Sequence, residues 1–530
     1  MSPVSSIGAL GFLALALGTL QSVVEPALPL LQRELGVSPA EGALVANALL
    51  VTGAVAAPVA GKLGDRYGGK RVLLWLMAVV SAGGLLAAVA PNLPVLLAGQ
   101  VLQGVMIGAL PLSFILVRKH LPAGDSQAAM GVVVALFTGG GIAGTLIAGP
   151  LAEGLSWHWM FALPALAVVA GALAVARLLP HDPPAPAEGG IDWPGVLLLS
   201  GTLLAFMAGL VTLTGAALPP LAVGAIVLVV AALATGWVAV EGRAAAPMVD
   251  LRMLTRPAMW SAAVLTLVVT VTFGMIMFLL PQLFAAEGIG TTAIGLLLLP
   301  GAVAGAFADA AGGLAARRFG SRTVVATGLV LTAATTTALA VADTSPWQLA
   351  AAKVLLAIAA GIGTTALLAG TASAVPTRDT GIATSLLVVT RVIGIAVGVQ
   401  VAGAILAAGT DPATGHPADA AFVTAFAVAG AIAALSLLVV HVAGRNARAT
   451  TPEAPTAQSH GHDAGGRITG SHDVGGRDAD GHDTGGRDAD GHDTGGRDAD
   501  GHDTGGRDAD GHDTGGRDAD GRDAEEGARA

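Results

Sequence analysis

The stretch Gly61-Lys62-Leu63-Gly64-Asp65-Arg66-Tyr67-Gly68-Gly69-Lys70-Arg71 interrupts two long uncharged runs. Residues 43–60 ahead of it and 72–90 behind it carry no charge, whereas the stretch carries four cations, Lys62, Arg66, Lys70 and Arg71. So short a charged segment is no globular domain. It fits a tight hairpin between two membrane helices, on the side of the bilayer that attracts Lys and Arg. Gly61 and Gly68 allow a sharp turn and close helix approach. Asp65 and Arg66 fall where a helix ends, able to pair with each other or with a neighbouring helix terminus.

Composition around the hairpin agrees. The chain has 530 residues, 53% of them hydrophobic and 12% charged, with a mean hydropathy of +0.71. Soluble domains carry about 25% charge, so this is an integral membrane protein. It has no cysteine, which excludes disulfides, thiolate metal sites and cysteine nucleophiles. The net charge of −10 comes from the end of the chain: residues 451–530 hold 20 acidic groups against 8 arginines. The rest is almost neutral, without the basic face that nucleic-acid binding requires.

Apolar runs long enough to cross a bilayer recur along the chain. They lie near 4–31, 43–62, 72–90, 95–117, 128–150 and 158–179, then 194–213 and 219–240, then 259–282, 293–313, 323–342, 347–370, 381–408 and 420–441. The first lacks a basic leader and a clear cleavage site and reads as a retained span. The pattern predicts an all-α polytopic protein with fourteen transmembrane helices in a 6 + 2 + 6 order. Its expected divisions are an N-terminal bundle 1–180, a linker with two extra spans 181–258, a C-terminal bundle 259–441 and a tail 442–530.

Charge separation supports that count. With both termini cytoplasmic, inside connections hold Lys62, Arg66, Lys70, Arg71, Arg118, Lys119, Arg177, Arg243, Arg252, Arg256, Arg317, Arg318, Arg322, Arg378, Arg445 and Arg448, while outside connections hold Arg33 alone. The seven tryptophans, such as Trp75, Trp193 and Trp347, fall near span ends, where amphipathic rings favour the interface.

The set Gly61, Leu63, Asp65, Arg66, Gly68, Lys70 and Arg71 resembles the signature loop of the major facilitator superfamily. Gly313-Leu-Ala-Ala-Arg317-Arg318-Phe-Gly320-Ser-Arg322 echoes it in the last six spans, with Arg317 where Asp65 stands. The two extra central spans make the chain similar to the fourteen-span drug:H+ antiporters of that superfamily. The resemblance implies a major facilitator fold of two parallel repeats. It also implies a gating loop on the cytoplasmic side, with Asp65 its least replaceable member and Arg118 and the start of span thirteen, near Thr380, as its partners.

Three stretches depart from the family pattern. Leu96 to Gly104, with Gln100 and Gln103, resembles a fourth-span motif that normally has arginine at Gln100. Losing that cation removes a usual element of proton coupling. In span five Gly131, Gly140, Gly144 and Gly149 keep the spacing of the antiporter glycines, but Thr145 and Ala148 replace a proline and a glycine, and Gly149-Pro150 follows late. In span one the acid expected near Leu20 is missing, and Glu25 stands instead beside Pro26 and Pro29.

Ionisable groups inside spans are costly and mark pathways. Four occur: Glu25, Asp309, Lys353 and Arg391. Glu25, in the outer half of span one, and Arg391, near the middle of span thirteen, are the first candidates for a proton or substrate pathway. Asp309 is expected about one turn from the cytoplasmic end of span ten, and Lys353 a turn or two inside the outer end of span twelve, as a snorkelling amine.

The tail contains four identical copies of Gly-His-Asp-Thr-Gly-Gly-Arg-Asp-Ala-Asp at 481–520. The repeat has no apolar position and predicts a disordered cytoplasmic tail; its spaced His and Asp also suit weak binding of divalent metal.

No G-x-S-x-G elbow, H-E-x-x-H pair or P-loop is present, so no enzyme is expected. Without a nucleotide-binding domain, uphill transport needs an ion gradient and no cofactor. The expected function is proton-coupled efflux of small hydrophobic or cationic drugs across a bacterial inner membrane by alternating access. A metabolite facilitator or importer, and a metal-handling protein using the tail, remain open alternatives.

Overall fold

The computed structural model describes residues 3–120, 123–180, 192–215, 219–244, 253, 257–341, 345–374, 380–411 and 416–449. The expectations for the tail and for most of both linkers lie outside the described residues. The first six spans comprise α1 (Pro3–Ser22), α2 (Val24–Leu35), α3 (Pro39–Tyr67), α4 (Gly69–Ala88), α5 (Leu93–Gly104), α6 (Ala109–His120), α7 (Ala123–Gly154) and α8 (Trp157–Leu178). Two further spans are α9 (Trp193–Gly215) and α10 (Pro220–Glu241). The last six are α11 (Pro257–Ala286), α12 (Thr291–Phe319), α13 (Ser321–Val341), α14 (Pro346–Ala374), α15 (Thr380–Ala408) and α16 (Asp419–Ala449). Fourteen spans among the described residues are long and apolar enough to cross a membrane.

The charged hairpin is more helical than its composition suggests. α3 continues through Gly61, Asp65 and Arg66 to Tyr67, and α4 begins at Gly69, so the turn is one residue, Gly68. Gly68 has φ 90° and Gly320, in the echo, φ 81°, a region where a Cβ is strained. Each amide donates to the carbonyl four residues earlier, Gly64 or Ala316, closing the helix it ends. A hydropathy window stops at the charges, whereas these helices continue beyond the apolar run.

The two sets of six spans repeat one packing scheme. α1 packs on α7 as α11 packs on α15, α4 on α8 as α13 on α16, and α3 on α5 as α12 on α14. Glycines set the closest contacts. A Cβ on Gly140 or Gly144 would collide with the carbonyl of Leu15 or Thr19 in α1, and one on Gly394 or Gly398 with that of Leu267 or Val271 in α11. The halves meet where α3 packs on α15 and α7 on α12. α9 covers the α3–α15 seam with Val196, Leu199 and Leu203, and α10 packs on α9 with no part of its apolar window buried.

The cores show where the halves are joined. At the end remote from Gly68 and Gly320, one apolar cluster contains Leu28 and Leu31, Ala148, Phe278 and Phe284, Leu298 and Leu406, drawn from both halves. Toward the signature end each half keeps its own core, around Leu73, Leu112 and Val133 in one and Val325, Leu329 and Ala366 in the other.

Because cysteine is absent, single cysteines test the expected orientation. Thr291 would suit the outer face by sequence, but it is buried, so exposed Glu287 serves. An impermeant thiol reagent should label Glu287→Cys in intact cells and spare Ala244→Cys. Labelling of the Ala244 variant would break the 6 + 2 + 6 topology.

Candidate functional site

Span one is broken where its prolines dictate. Pro26 has no N–H for the Ser22 carbonyl and its ring crowds that carbonyl; accordingly α1 ends at Ser22 and α2 restarts at Val24. Glu25 therefore sits in the first turn of a half-helix, where free amides favour negative charge. Its carboxylate accepts a hydrogen bond from Lys353 Nζ in α14 at 2.7 Å. The side chains are 18% and 8% exposed, so the pair is largely desolvated. Lys353 lies two turns inside α14, at its expected depth, but its stem crosses Gly301 of α12 and its amine pairs with Glu25 instead of snorkelling.

This pair heads a cavity of about 270 Å³ between the halves, lined by Ser22, Glu25, Thr138, Asp309, Lys353 and Arg391 among others. Asp309 also departs from its expected depth. α12 runs ten residues past it to Phe319, so the carboxylate lies roughly 15 Å from that helix end rather than one turn. Arg391 lines the same cavity and acts on the carboxylate electrostatically. Since Lys353 lies level with Gly301, Asp309 stands about 12 Å further along the cavity from the Glu25–Lys353 pair.

Glutamines and one carboxylate lock the end remote from the signature turns. Gln282 donates to Gln32 at 2.8 Å, Gln400 to the Ala40 carbonyl at 3.0 Å, and Asn47 to the Ala396 carbonyl at 2.9 Å. Glu153, at the end of α7, accepts from Thr292 Oγ1 at 2.5 Å and from its amide at 3.3 Å, capping α12 from the opposite half. A Cβ on Gly149 would strike the Thr291–Thr292 backbone, so this glycine permits the seal. Pro150 follows it inside α7.

The remaining expected residues divide by place. Gly140 and Gly144 are packing contacts of α1 and α7. Gln100 is buried beside the cavity rather than in it. Gln103, one turn on, reaches the Gly83 carbonyl at 3.5 Å and does not line the cavity. The signature residues Gly61, Leu63, Arg66, Gly68 and Arg71 lie at the α3–α4 turn, away from the cavity, and Arg118 is exposed on α6. Lys70 donates to the Ala176 and Leu179 carbonyls at 2.8 and 2.6 Å, holding the end of α8. The Asp65 and Thr380 side chains, and so their expected contact, lie outside the described residues. Sequence reasoning missed the Lys353 partnership, Glu153, Asn47 and Gln282.

A multi-pass bundle of two like halves around a cavity with charged walls is the architecture of a transporter. The sequence profile described as Major Facilitator Superfamily matches residues 10–308 and 262–472. The chain belongs to that superfamily. An uncharacterized transporter of the same type from Mycobacterium tuberculosis is 31% identical over 407 residues, covering 75% of this chain and 58% of the relative. The chain thus spans less than two thirds of the length of that relative. A putative multidrug resistance protein, MdtD, from Yersinia pestis is 28% identical over 82% of this chain and 94% of its own. Among solved structures, the nucleoside transporter NupG has a TM-score of 0.61 at 13% identity, over 83% of this chain and 98% of its own. The human organic anion transporter MFSD10 has a TM-score of 0.52 at 17% identity, over 83% of this chain and all of its own. These likenesses concern the fold.

The pair joining the halves predicts energetic coupling. Lys353→Met and Glu25→Gln should each lower the unfolding temperature in detergent, and the double variant should lose less than their sum. A coupling of about 1–3 kcal/mol is expected for direct partners. Additivity within about 0.5 kcal/mol would remove the contact from the account.

Proposed function

We propose that the protein exports small amphipathic compounds across a bacterial inner membrane in exchange for protons, by alternating access. The carrying observation is the Glu25–Lys353 pair, made between halves at the head of the cavity. One carboxylate there can be neutralised in three ways: by Lys353, by a proton or by a cationic substrate. Competition among them is the requirement for exchange, because substrate and proton cannot both occupy the site. The Lys353 contact also gives the carboxylate a partner in the other half, so its loss biases the halves apart.

Orientation completes the reading. Placing the basic turns inside by charge bias puts the sealed end outside and the separated cores inside, the form that admits substrate from the cytoplasm. Asp309 and Arg391 then lie on the inner side of the cavity, where a proton arriving at Glu25 would leave. Asp65, at the end of α3, is the proposed gating group; a charge–dipole contact there contributes on the order of 1 kcal/mol, enough to bias two states without unfolding a bundle. The drug class is supported by the name of the MdtD relatives.

Purified protein in liposomes with an imposed pH gradient tests the assignment, with ethidium as cargo. Glu25→Gln should lose gradient-driven accumulation and retain downhill exchange. Accumulation equal to wild type would transfer the proton to Asp309, and no gradient-driven accumulation by the wild type itself would make the protein a uniporter.

A further inference from the structure

We propose that a side chamber behind Glu25 is a substrate subsite that selects a neutral hydrogen-bonding group, read by the Gln100 carboxamide. The proposal rests on the reading of the central cavity as the substrate site. The chamber has a volume of about 50 Å³ and lies between α2, α3, α5, α11 and α15. Leu28, Leu49, Met277 and Phe278 supply apolar wall, and Gln21, Glu25 and Gln100 its polar groups. Gln21 and Glu25 line both spaces, so chamber and cavity adjoin at the carboxylate.

Gln100 is the unusual member. It is 1% exposed, yet neither Nε2 nor Oε1 has a hydrogen-bond partner. A buried polar group without a partner is destabilising by more than a made hydrogen bond contributes. Other buried amides keep at least one end paired: Gln282 with Gln32 and Gln400 with the Ala40 carbonyl. Gln32, Asn47 and Gln103 each leave one atom without a partner, Nε2, Oδ1 and Oε1 respectively. The apolar side chains around Gln100 offer no such partner, so its complement must be a visitor, water or a ligand atom. A carboxamide presents donor and acceptor together, which suits an amide, carbonyl or hydroxyl and does not demand a charge. A compound whose cationic centre lies at Glu25 would direct a short neutral arm into this chamber. Its hydrogen bond there would replace ordered water, favouring ligands that reproduce the water's contacts.

A matched pair of probes tests this: tetraphenylphosphonium, which has no hydrogen-bonding group, and its derivative with one ring bearing a carboxamide. Binding to the purified full chain is measured by equilibrium dialysis with radiolabelled probes. Wild type should favour the carboxamide by about fivefold, the factor expected for one net hydrogen bond. Gln100→Leu should reduce the ratio to about one, and Ala46→Met, which fills the chamber from α3, should do the same without touching Gln100. Equal affinities in wild type, or a preference that survives both substitutions, would overturn the subsite while leaving the cavity as the binding site. Binding of neither probe to wild type would overturn the reading of the cavity and this proposal with it.

Discussion

Hydrocarbon offers no hydrogen bond to a backbone amide or to a side-chain hydroxyl, and the rest of this molecule answers to that constraint. Helices satisfy the backbone internally. Many hydroxyls inside the spans use the carbonyl four residues back, as Thr19 does with Leu15, Ser113 with Ala109 and Thr336 with Thr332. Such groups are silent: they need nothing from another helix. Carboxylates, amines and carboxamides cannot fold back in this way and must find partners elsewhere. They find them largely in the opposite half, at the Glu25–Lys353 pair and the Gln32–Gln282, Asn47–Ala396 and Glu153–Thr292 contacts. The polar groups that the bilayer disfavours most are therefore the ones that hold the halves together.

The scaffold is symmetrical and its charges are not. α5 and α14 are equivalent fourth spans of their halves, and Gln100 and Lys353 each stand seven residues after the first helical residue, Leu93 or Pro346. The cation that family resemblance leads one to expect at Gln100 is absent, while the matching register in the other half carries one. Lys353 then reaches Glu25 across the cavity. An arginine at Gln100 would be a partner within the same half as Glu25; a lysine at 353 makes the partnership one between halves. The same substitution leaves Gln100 buried in its chamber with neither end of its carboxamide paired.

Much of the fold was legible because it is written in local terms. Uncharged runs, charge bias between successive connections and the repeated Gly61–Gly68 and Gly313–Gly320 spacing required no knowledge of tertiary contacts. Helix ends were less legible, since α3 and α12 continue through charged residues to glycines at positive φ. That continuation leaves Asp309 ten residues inside its helix, on the cavity wall. Lys353 was misread for a different reason: its partner lies 328 residues away in sequence, and no periodicity encodes such a pair. The glycines of α15 carried a signal that went unread, because Gly394 and Gly398 repeat the spacing of Gly140 and Gly144 and pack in the same manner.

The geometry also limits how such a protein can move. Single-residue turns at Gly68 and Gly320 tie α3 to α4 and α12 to α13 with no slack. Glycine-to-carbonyl contacts bring α1 and α7, and α11 and α15, too close for sliding without loss of packing. Within each half little is left to flex, whereas between halves the far end is held by a few polar contacts and one shared core. Exchange of those contacts for water-bound ones is nearly balanced, because a net hydrogen bond contributes only about 1 kcal/mol. A rocking of whole halves is thus the least costly motion available. Such a motion must break or remake the Glu25–Lys353 contact, which joins the halves at the head of the cavity.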